Sequence, residues 1–587
     1  MLKSRWFVVA CAMWMQSFNG SPYVFGVYSQ KIKLALNYDQ KEVGILATFK
    51  DIGSHFGILP GIILEHVSPS AVLVIGAMQS GFGYLMMWLS VTGKVRSPSL
   101  WQMCLYIFTG ANGLTFFDTV AMVTCVRNFP HNRGIVIGLV KGFLGLSGAI
   151  LTQLYRAIYA DSPESFLFLL SWLPTIMALV GMFVLRSVPS SNRSDESTNL
   201  YLMSTIGLLL ACYIMTLIIV ETIVDLTHLA SLTIIICGIC GLILLPLLVV
   251  YKSERDDEKI EGIGLFSPPS PSLKEPLLAP PSPSSSSTLP VSAAVKGSNP
   301  GLEAVKKGYI SEGEVSDEGK QVHRSKPRRG ENHTFVEAVK KADFWLLFVA
   351  MACGMGSCLT AVDSMGQIGA SQGYSVTKVG TFISLLSIWN FLGKLGFGMI
   401  SEICLHRYRV PRPVFLALSQ ATTSIGHLVI AVAFPGSLYV GSLVIGLCYG
   451  AQWSLMPAIT SEIFGLMSFG TLFNAISMGS PLGAYYLSVQ VAGTIYDYEA
   501  EQEQNADSDR LGRIFMWLKN SGELLCDGAQ CFRLTFMIMA AVSFFGCLVS
   551  LILVARTRRF YYQVVYARVE TLRREKEDQE RRGPSLA

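Results

Sequence analysis

Four ionisable residues stand inside otherwise apolar stretches in the first quarter of the chain, namely Lys50, Asp51, Asp118 and Lys141. A charge inside a lipid bilayer is costly, so it usually serves a function or pairs with an opposite charge. Lys141 could be the counter-charge to an anionic solute or form an ion pair with Asp118, which could instead bind a proton. Lys50 and Asp51 could neutralise each other near a helix end. We expect Asp118 and Lys141 to bind solute, and Asp118, Lys50 and Asp51 to act in coupling or gating.

Uncharged polar residues form a second set within the apolar stretches. Those expected to contact a solute are Asn19, Asn112, Gln452 and Asn474. Interhelical hydrogen bonds would explain any one of them. Asn19 is followed by Gly, Ser and Pro22, a combination that can interrupt a helix and free backbone groups near mid-membrane. The sequence predicts a break there and a similar one at residues 480–483.

Long apolar runs carry these residues. The 587-residue chain is 51% hydrophobic and only 15% charged, against about 25% charged in soluble domains. A spanning helix needs about 20 apolar residues, and unbroken runs of that length indicate helices rather than a β-barrel. Such runs lie near residues 6–28, 43–64, 71–91, 100–124, 134–155, 166–186, 200–220, 229–251, 344–363, 378–400, 413–433, 437–460, 468–493 and 534–555. The predicted fold class is an all-α polytopic membrane protein with about fourteen spans.

Residues 252–342 differ from the rest in composition, with Ser-Pro-Pro-Ser-Pro at 267–271 and a Pro- and Ser-rich run at 280–287. Too few apolar residues remain to offset the entropy of ordering, so we predict a disordered loop. Most Lys and Arg fall in this loop, in alternate connections and in the tail, which predicts that both termini are cytoplasmic. Cys526 and Cys531 then lie outside, where a disulfide is favoured over two free thiols.

Residues recur in the same order at an offset of about 336. Val43-Gly44 matches Val379-Gly380, Glu65 matches Glu402 after one residue of slippage, and Gly113 matches Gly450. Two six-helix halves related in this way describe the major facilitator architecture. The counterparts of Asp118 and Lys141 are Leu455 and Met478, so we expect the ionisable residues to concentrate in the first half. The predicted divisions are residues 1–190, an inserted helix pair at 191–251, the loop 252–342, the second half 343–556 and the tail 557–587.

Two groups of motifs resemble known families. Gly393-Lys394-Leu-Gly-Phe-Gly-Met-Ile-Ser-Glu402 resembles the major facilitator loop motif between the second and third helices of a half. The resemblance implies gating roles for Lys394 and Glu402; Glu65 is the degraded first-half copy. Arg5-Trp-Phe-Val-Val, the segment 19–29, Gln452-Trp-Ser-Leu-Met-Pro and Gly470-Thr-Leu-Phe-Asn474 resemble the plant nodulin-like branch of the superfamily, which includes the nuclear-fusion-defective group. This likeness runs from residue 5 to about 560 without the loop, and it implies a secondary transporter.

The leading hypothesis is alternating-access transport of a small organic solute, an anion such as a carboxylate, with proton coupling or exchange and no cofactor. Its rival is a transporter-derived sensor or scaffold that signals through the 252–342 loop. No HExxH, GxSxG or P-loop motif lies in a loop, so an enzyme is not indicated. Expected partners are a small solute and membrane lipid, not nucleic acid, and the protein is expected to be a monomer. Lys274-Glu-Pro-Leu-Leu278 resembles a dileucine sorting signal, which favours the vacuolar membrane and leaves the plasma membrane open.

Overall fold

The computed structural model consists of helices joined by short turns. It describes residues 4–38, 40–96, 98–159, 163–188, 196–223, 228–265, 327–373, 376–496, 498–499, 502, 528, 530–567, 570–571 and 574. The chain divides into two compact units, one of residues 1–250 and 327–587 and the other of residues 251–326.

Eleven helical segments make up the first part. They are α1 Arg5–Ser17, a 3-10 turn Ser21–Val24, α2 Phe25–Leu36, α3 Gln40–His55, α4 Ile58–His66, α5 Pro69–Val91, α6 Leu100–Asn128, α7 Arg133–Tyr159, α8 Pro163–Gly181, α9 Glu196–Ile223 and α10 His228–Leu265. Residues 252–265 therefore continue α10, although the sequence assigns them to a disordered loop. Residues 266–326 of that predicted loop lie outside the described residues.

The second part follows from residue 327. Its helices are α11 Phe335–Val339, α12 Ala342–Ser371, α13 Val376–Ile403, α14 Arg412–Val432, α15 Ser437–Phe464, α16 Phe469–Ser477, α17 Gly479–Tyr485 and α18 Gln530–Phe560, with π-helical stretches Cys404–Tyr408, Tyr486–Gly493 and Tyr561–Val565. Within the described residues, eight helices are long and apolar enough to cross a membrane. The count of about fourteen spans and the cytoplasmic termini stay predictions.

Three of the long apolar runs are interrupted. The first breaks at residues 18–20, between α1 and the turn that carries Pro22 near its start, as the sequence predicts. The second breaks at Phe56 and Gly57, between α3 and α4, which the sequence analysis missed. The third breaks at Met478, two residues before the predicted position at Ser480. Each break leaves backbone groups that neighbouring side chains can bind.

Helices that the internal repeat makes equivalent pack in equivalent pairs. In the first half α3 packs on α6, α5 on α8 and α1 on α7. In the second half α13 packs on α15, α14 on α18 and α12 on α17. This agreement is what two homologous halves would produce, while the exact domain bounds stay predictions.

The two halves meet along two helix pairs, α7 with α13 and α4 with α16. Glycines allow the backbones to touch at both. A Cβ atom on Gly398 would lie 2.6 Å from the Gly134 carbonyl oxygen, and one on Gly61 would lie 2.6 Å from the Thr471 backbone. Small residues permit such close approach between membrane helices.

A short strap, residues 327–334, follows the predicted loop and binds the connection between α15 and α16. The backbone N–H groups of Gly330 and His333 donate to the carbonyls of Ile463 and Phe464, at 2.8 and 3.0 Å. The side chain of Asn332 accepts from the N–H groups of residues 466 and 467. Because three of its residues make four hydrogen bonds to this connection, the strap is fixed to the second half at several points.

Candidate functional site

An ion pair lies at the junction of the two halves. The ammonium of Lys141 on α7 donates to Asp118 Oδ2 on α6 at 2.5 Å, and the two side chains are 2% and 12% exposed. Of the two roles that the sequence leaves open for Lys141, the structure contains the pair with Asp118. In this state its charge is thus already balanced by the protein.

Hydrogen bonds connect this ion pair to Asn19, which lies in the break of the first apolar run. Gln16 Nε2 donates to the other carboxylate oxygen of Asp118 at 2.6 Å. The Asn19 amide donates to Gln16 Oε1 at 2.9 Å and to the Leu114 carbonyl at 3.1 Å. A continuous polar chain therefore runs from Asn19 to Lys141 among buried residues. Such networks hold each member in one orientation.

Two aromatic rings from the second half cover Lys141. Its Nζ lies 4.9 Å from the centroid of the Trp453 ring and 4.7 Å from that of Phe473. Both distances fall in the range of cation–π attraction. The sequence analysis missed these rings because aromatic residues in an apolar run look like ordinary core.

Lys394 also lies at this junction. Its side chain on α13 is fully buried, and its Nζ has no hydrogen-bond partner within the part of the chain that the structure describes. The centroid of the Tyr23 ring is 5.6 Å away. Lys394 stands nine residues before the end of α13, about 13 Å along the helix axis. It is therefore remote from the helix end where the motif resemblance implies gating.

A second charged group, formed by Lys50, Asp51 and Asp363, also includes residues from both halves. Lys50 Nζ lies 2.9 Å from Asp51 Oδ1, so these neighbours form the pair that the sequence suggests. Asp363 on α12 interacts electrostatically with both. The sequence analysis missed Asp363 because it ended the predicted run at that residue, whereas α12 continues to Ser371. Asp363 and Lys394 add two ionisable residues from the second half to the four that the sequence analysis singled out in the first half.

The remaining predicted polar residues make contacts between helices. Asn112 donates to the carbonyls of Gly53 and Phe56, at 3.2 and 2.8 Å, and so supports the break between α3 and α4. Asn474 donates to Thr119 Oγ1 across the junction at 2.9 Å. The amide nitrogen of Gln452 lies 4.0 Å from the Cys358 sulfur. These residues are buried, but the structure does not join them to the Lys141–Asp118 pair by hydrogen bonds.

Glu402 fastens the halves together at one end. Its Oε2 accepts from the backbone N–H of Gly134, at the start of α7, at 2.6 Å. The Arg412 guanidinium donates to the same oxygen at 2.8 Å and to Glu462 at 2.6 Å. A carboxylate at a helix N-terminus is stabilised by the unpaired N–H groups there. The motif resemblance pointed to Glu402 and to the basic residues that follow it, which include Arg412, but not to Glu462, the second carboxylate that Arg412 binds.

Glu65 makes the corresponding contact from the first half. Its carboxylate accepts from Ser468 Oγ at 3.2 Å and from Thr471 Oγ1. Nearby, the Arg127 side chain donates to the Met467 carbonyl at 3.3 Å. The end predicted to be cytoplasmic is thus bonded across both helix pairs.

The predicted disulfide between Cys526 and Cys531 lies only partly within the described residues. Cys531 is disulfide-bonded, whereas Cys526 lies outside the described residues, so their pairing stays a prediction. Among the described residues, no group of three or more His, Cys, Asp or Glu could hold a metal ion.

Comparison with known proteins agrees with this geometry. A family model described as Nodulin-like matches residues 5–251, and one described as the NFD4 C-terminal domain matches residues 333–563. The first part of the chain is thus nodulin-like, and the second part contains the NFD4 C-terminal domain. The predicted resemblance is thereby confirmed.

The relatives of the nodulin-like protein match different shares of its length. Protein NUCLEAR FUSION DEFECTIVE 4 of Arabidopsis thaliana is 25% identical over 577 residues, which cover 95% of this chain and 90% of the relative. The probable transporter MCH1 of Yarrowia lipolytica is 24% identical over 164 residues, or 27% of this chain and 30% of the relative. A plant relative over nearly the whole length supports the predicted plant origin.

A solved structure supports the fold. The major facilitator proton:xylose symporter XylE matches with a TM-score of 0.50 at 10% identity, over 93% of this chain and 94% of the symporter. The nodulin-like protein is therefore a multi-pass membrane protein with the major facilitator fold. The relative from Yarrowia lipolytica and the structural neighbour carry the names of a probable transporter and a symporter, not of enzymes.

Proposed function

We propose that this protein carries a small organic anion, such as a carboxylate, across the membrane by alternating access, coupled to protons or to solute exchange and without a cofactor. The observation that carries the proposal is the buried group of two lysines and one aspartate at the junction of the halves, where Lys141 pairs with Asp118 and both act electrostatically on Lys394. Intramembrane charges of this kind mark substrate or ion pathways.

The interrupted helices support a binding site at the same place. Asn19 follows the break after α1, and its amide is bonded into the chain that ends at Lys141. A Cβ atom on the neighbouring Gly20 would overlap Ser147 of α7, so the unwound segment lies directly against that helix. Transporter sites are commonly formed by discontinuous helices near mid-membrane.

The contacts of Glu402 and Glu65 support alternating access. They bind the halves at one end through hydrogen bonds that can be broken and reformed as one half rocks against the other. We place this end, both chain termini and the 266–326 segment in the cytoplasm, in a monomer of fourteen spans. The protein then resides in the plasma membrane or the vacuolar membrane, in contact with lipid and a small solute and not with nucleic acid.

The Lys50, Asp51 and Asp363 group supports proton coupling. One lysine faces two carboxylates that come from opposite halves. Two carboxylates that share a site repel each other when both are ionised, and Asp363 is the one without the direct pairing with Lys50, so Asp363 is suited to bind a proton. Movement of the halves would change the distance between them and hence their hold on that proton.

Uptake by the purified protein in liposomes tests the proposal. The assay screens carboxylates, amino acids and sugars with and without an imposed pH gradient. We expect saturable carboxylate uptake that Lys141→Ala and Asp118→Asn each reduce at least tenfold, while the exposed control Lys340→Ala has no effect. Carboxylate uptake that both variants leave intact would refute the site, and no carboxylate uptake at all would refute the function.

A further inference from the structure

We infer that Lys394 holds the negative group of the transported solute, and that this solute carries a single negative charge. The inference deepens the proposed function and rests on it, because it assigns the charged contact and the charge class of the solute at the same junction.

The first step is the isolation of the Lys394 ammonium. The side chain is fully buried, and its Nζ has no hydrogen-bond partner among the described residues. Two groups from the first half approach it. The Tyr23 ring lies 5.6 Å away, and a Cβ atom on Gly145 of α7 would lie 3.2 Å from the Nζ. The amine of a second-half residue therefore reaches the surface of the first half.

The second step concerns charge. Among the described residues, the charged groups that act on Lys394 are Lys141, which repels it, and Asp118, which attracts it. Both carboxylate oxygens of Asp118 already accept a hydrogen bond, one from Lys141 and the other from Gln16. Lys141 in turn has the carboxylate and two aromatic rings as partners. The protein therefore balances Lys141 and leaves Lys394 unbalanced.

The third step counts the charges. With Lys394 protonated, two lysines and one aspartate leave one positive charge at a buried position, and an unpaired buried charge is costly. A singly charged anion bound at Lys394 would remove that excess, whereas a doubly charged anion would reverse it. The Tyr23 ring lies near the ammonium, and Phe391 of α13 lies beside Lys394 against Gly145, so the neighbours of Lys394 are aromatic and suit a small carbon skeleton. A small monocarboxylate fits the charge count and these surroundings.

The position between the halves gives this contact a function in the cycle. Lys394 belongs to the second half, while the Asp118 network belongs to the first. An anion bound at Lys394 would be attracted by both lysines at once and would so draw the halves together around itself. Binding would then favour the conformational change in which one half rocks against the other.

Two lysine variants separate this role from a structural one. Lys394→Met removes an unbalanced charge and keeps the volume, so the purified, solute-free protein should melt at a higher temperature than wild type. Lys141→Met removes the partner of Asp118 and should lower the melting temperature. Lys394→Arg keeps the charge, and Lys340→Ala is an exposed control.

The solute assay uses acetate, pyruvate and glycolate as monoanions and oxalate and malonate as dianions, in liposome uptake and in thermal stabilisation of the purified protein. We expect monoanions to be preferred, and Lys394→Met to weaken their binding by at least about 30-fold, the effect of leaving one partner of a buried charge pair unmatched. Lys394→Arg should retain part of the binding.

Several results would overturn the inference and leave the proposed transport function standing. They are monoanion binding by Lys394→Met within about threefold of wild type, a preference for dianions, or a melting temperature lowered as much as by Lys141→Met. If wild-type protein moved no carboxylate of either class, the proposed function and this inference would fail together.

Discussion

The ion pair between Asp118 and Lys141 gives the sharpest test of the buried network. With its side chains 2% and 12% exposed and 2.5 Å between the charged atoms, removal of one partner should cost about 3–5 kcal/mol of unfolding free energy. In Asp118→Asn the lysine keeps only its aromatic contacts, at roughly 0.5–2 kcal/mol each, and still faces Lys394. We therefore expect a loss of about 3 kcal/mol for this variant.

The double variant supplies the reference. In Lys141→Met the carboxylate of Asp118 keeps the hydrogen bond from Gln16, which is worth about 1.5–3 kcal/mol to a charged group. Its loss should be smaller, at about 2 kcal/mol. Since Asp118→Asn/Lys141→Met leaves neither member of this pair charged, the double variant should be no less stable than Asp118→Asn alone. The coupling energy is then about 2 kcal/mol, or roughly 30-fold in the unfolding equilibrium.

Unfolding in mixed micelles with increasing SDS, followed by tryptophan fluorescence, measures these differences. The pair formed by Arg409 and Glu570 is a matched control, because its atoms are 3.2 Å apart but its side chains are 62% and 39% exposed. Glu570→Gln should cost less than about 1 kcal/mol. If the two single losses at the buried pair added up to that of the double variant, the pair would not be a coupled unit and the reasoning would fail.

Four further predictions follow from other contacts. Glu402→Gln should increase by about 10-fold or more the population in which the two halves have separated at the end where Glu402 lies. Spin labels on the two halves at that end should then be farther apart, and an unchanged distance would contradict the proposed role of Glu402 in holding the halves together. Asn112→Ala should lower stability by about 1–3 kcal/mol because two carbonyls lose their donor, and it should leave solute affinity unchanged. Gly398→Val should prevent folding, judged by size-exclusion chromatography, whereas Gly396→Val, with nothing within 4 Å of its Cβ position, should fold normally. Deletion of residues 266–326 should leave solute flux intact if the protein is a transporter, while a sensor would lose its output.

The sequence predicted the helices better than the partners of their polar residues. Glycine and proline next to Asn19 have a direct local effect on the backbone, so the first break was visible from the residues alone. The break at Phe56 has a similar local signal in Gly57 and Pro60, which the sequence analysis did not use. It is stabilised by the amide of Asn112 on another helix, and contacts of this kind between distant segments cannot be read from either segment by itself.

Lys394 shows a second limit. Its neighbours resemble a loop motif, and that likeness directed attention to the helix end rather than to the middle of the bundle. The hydropathy rule also ended one run at Asp363, because a charged residue looks like the boundary of a span. Both errors arise where a charged residue stands inside a long apolar helix against the general rule, which is where functional sites are found.

The strap at residues 327–334 has a consequence for how the protein can be observed. Because its backbone is bound to the connection between α15 and α16, a fluorophore attached there will follow the second half as a rigid reporter. A second label on the end of α4 would follow the first half. The distance between the two dyes would then record each transport cycle without any label inside the bundle.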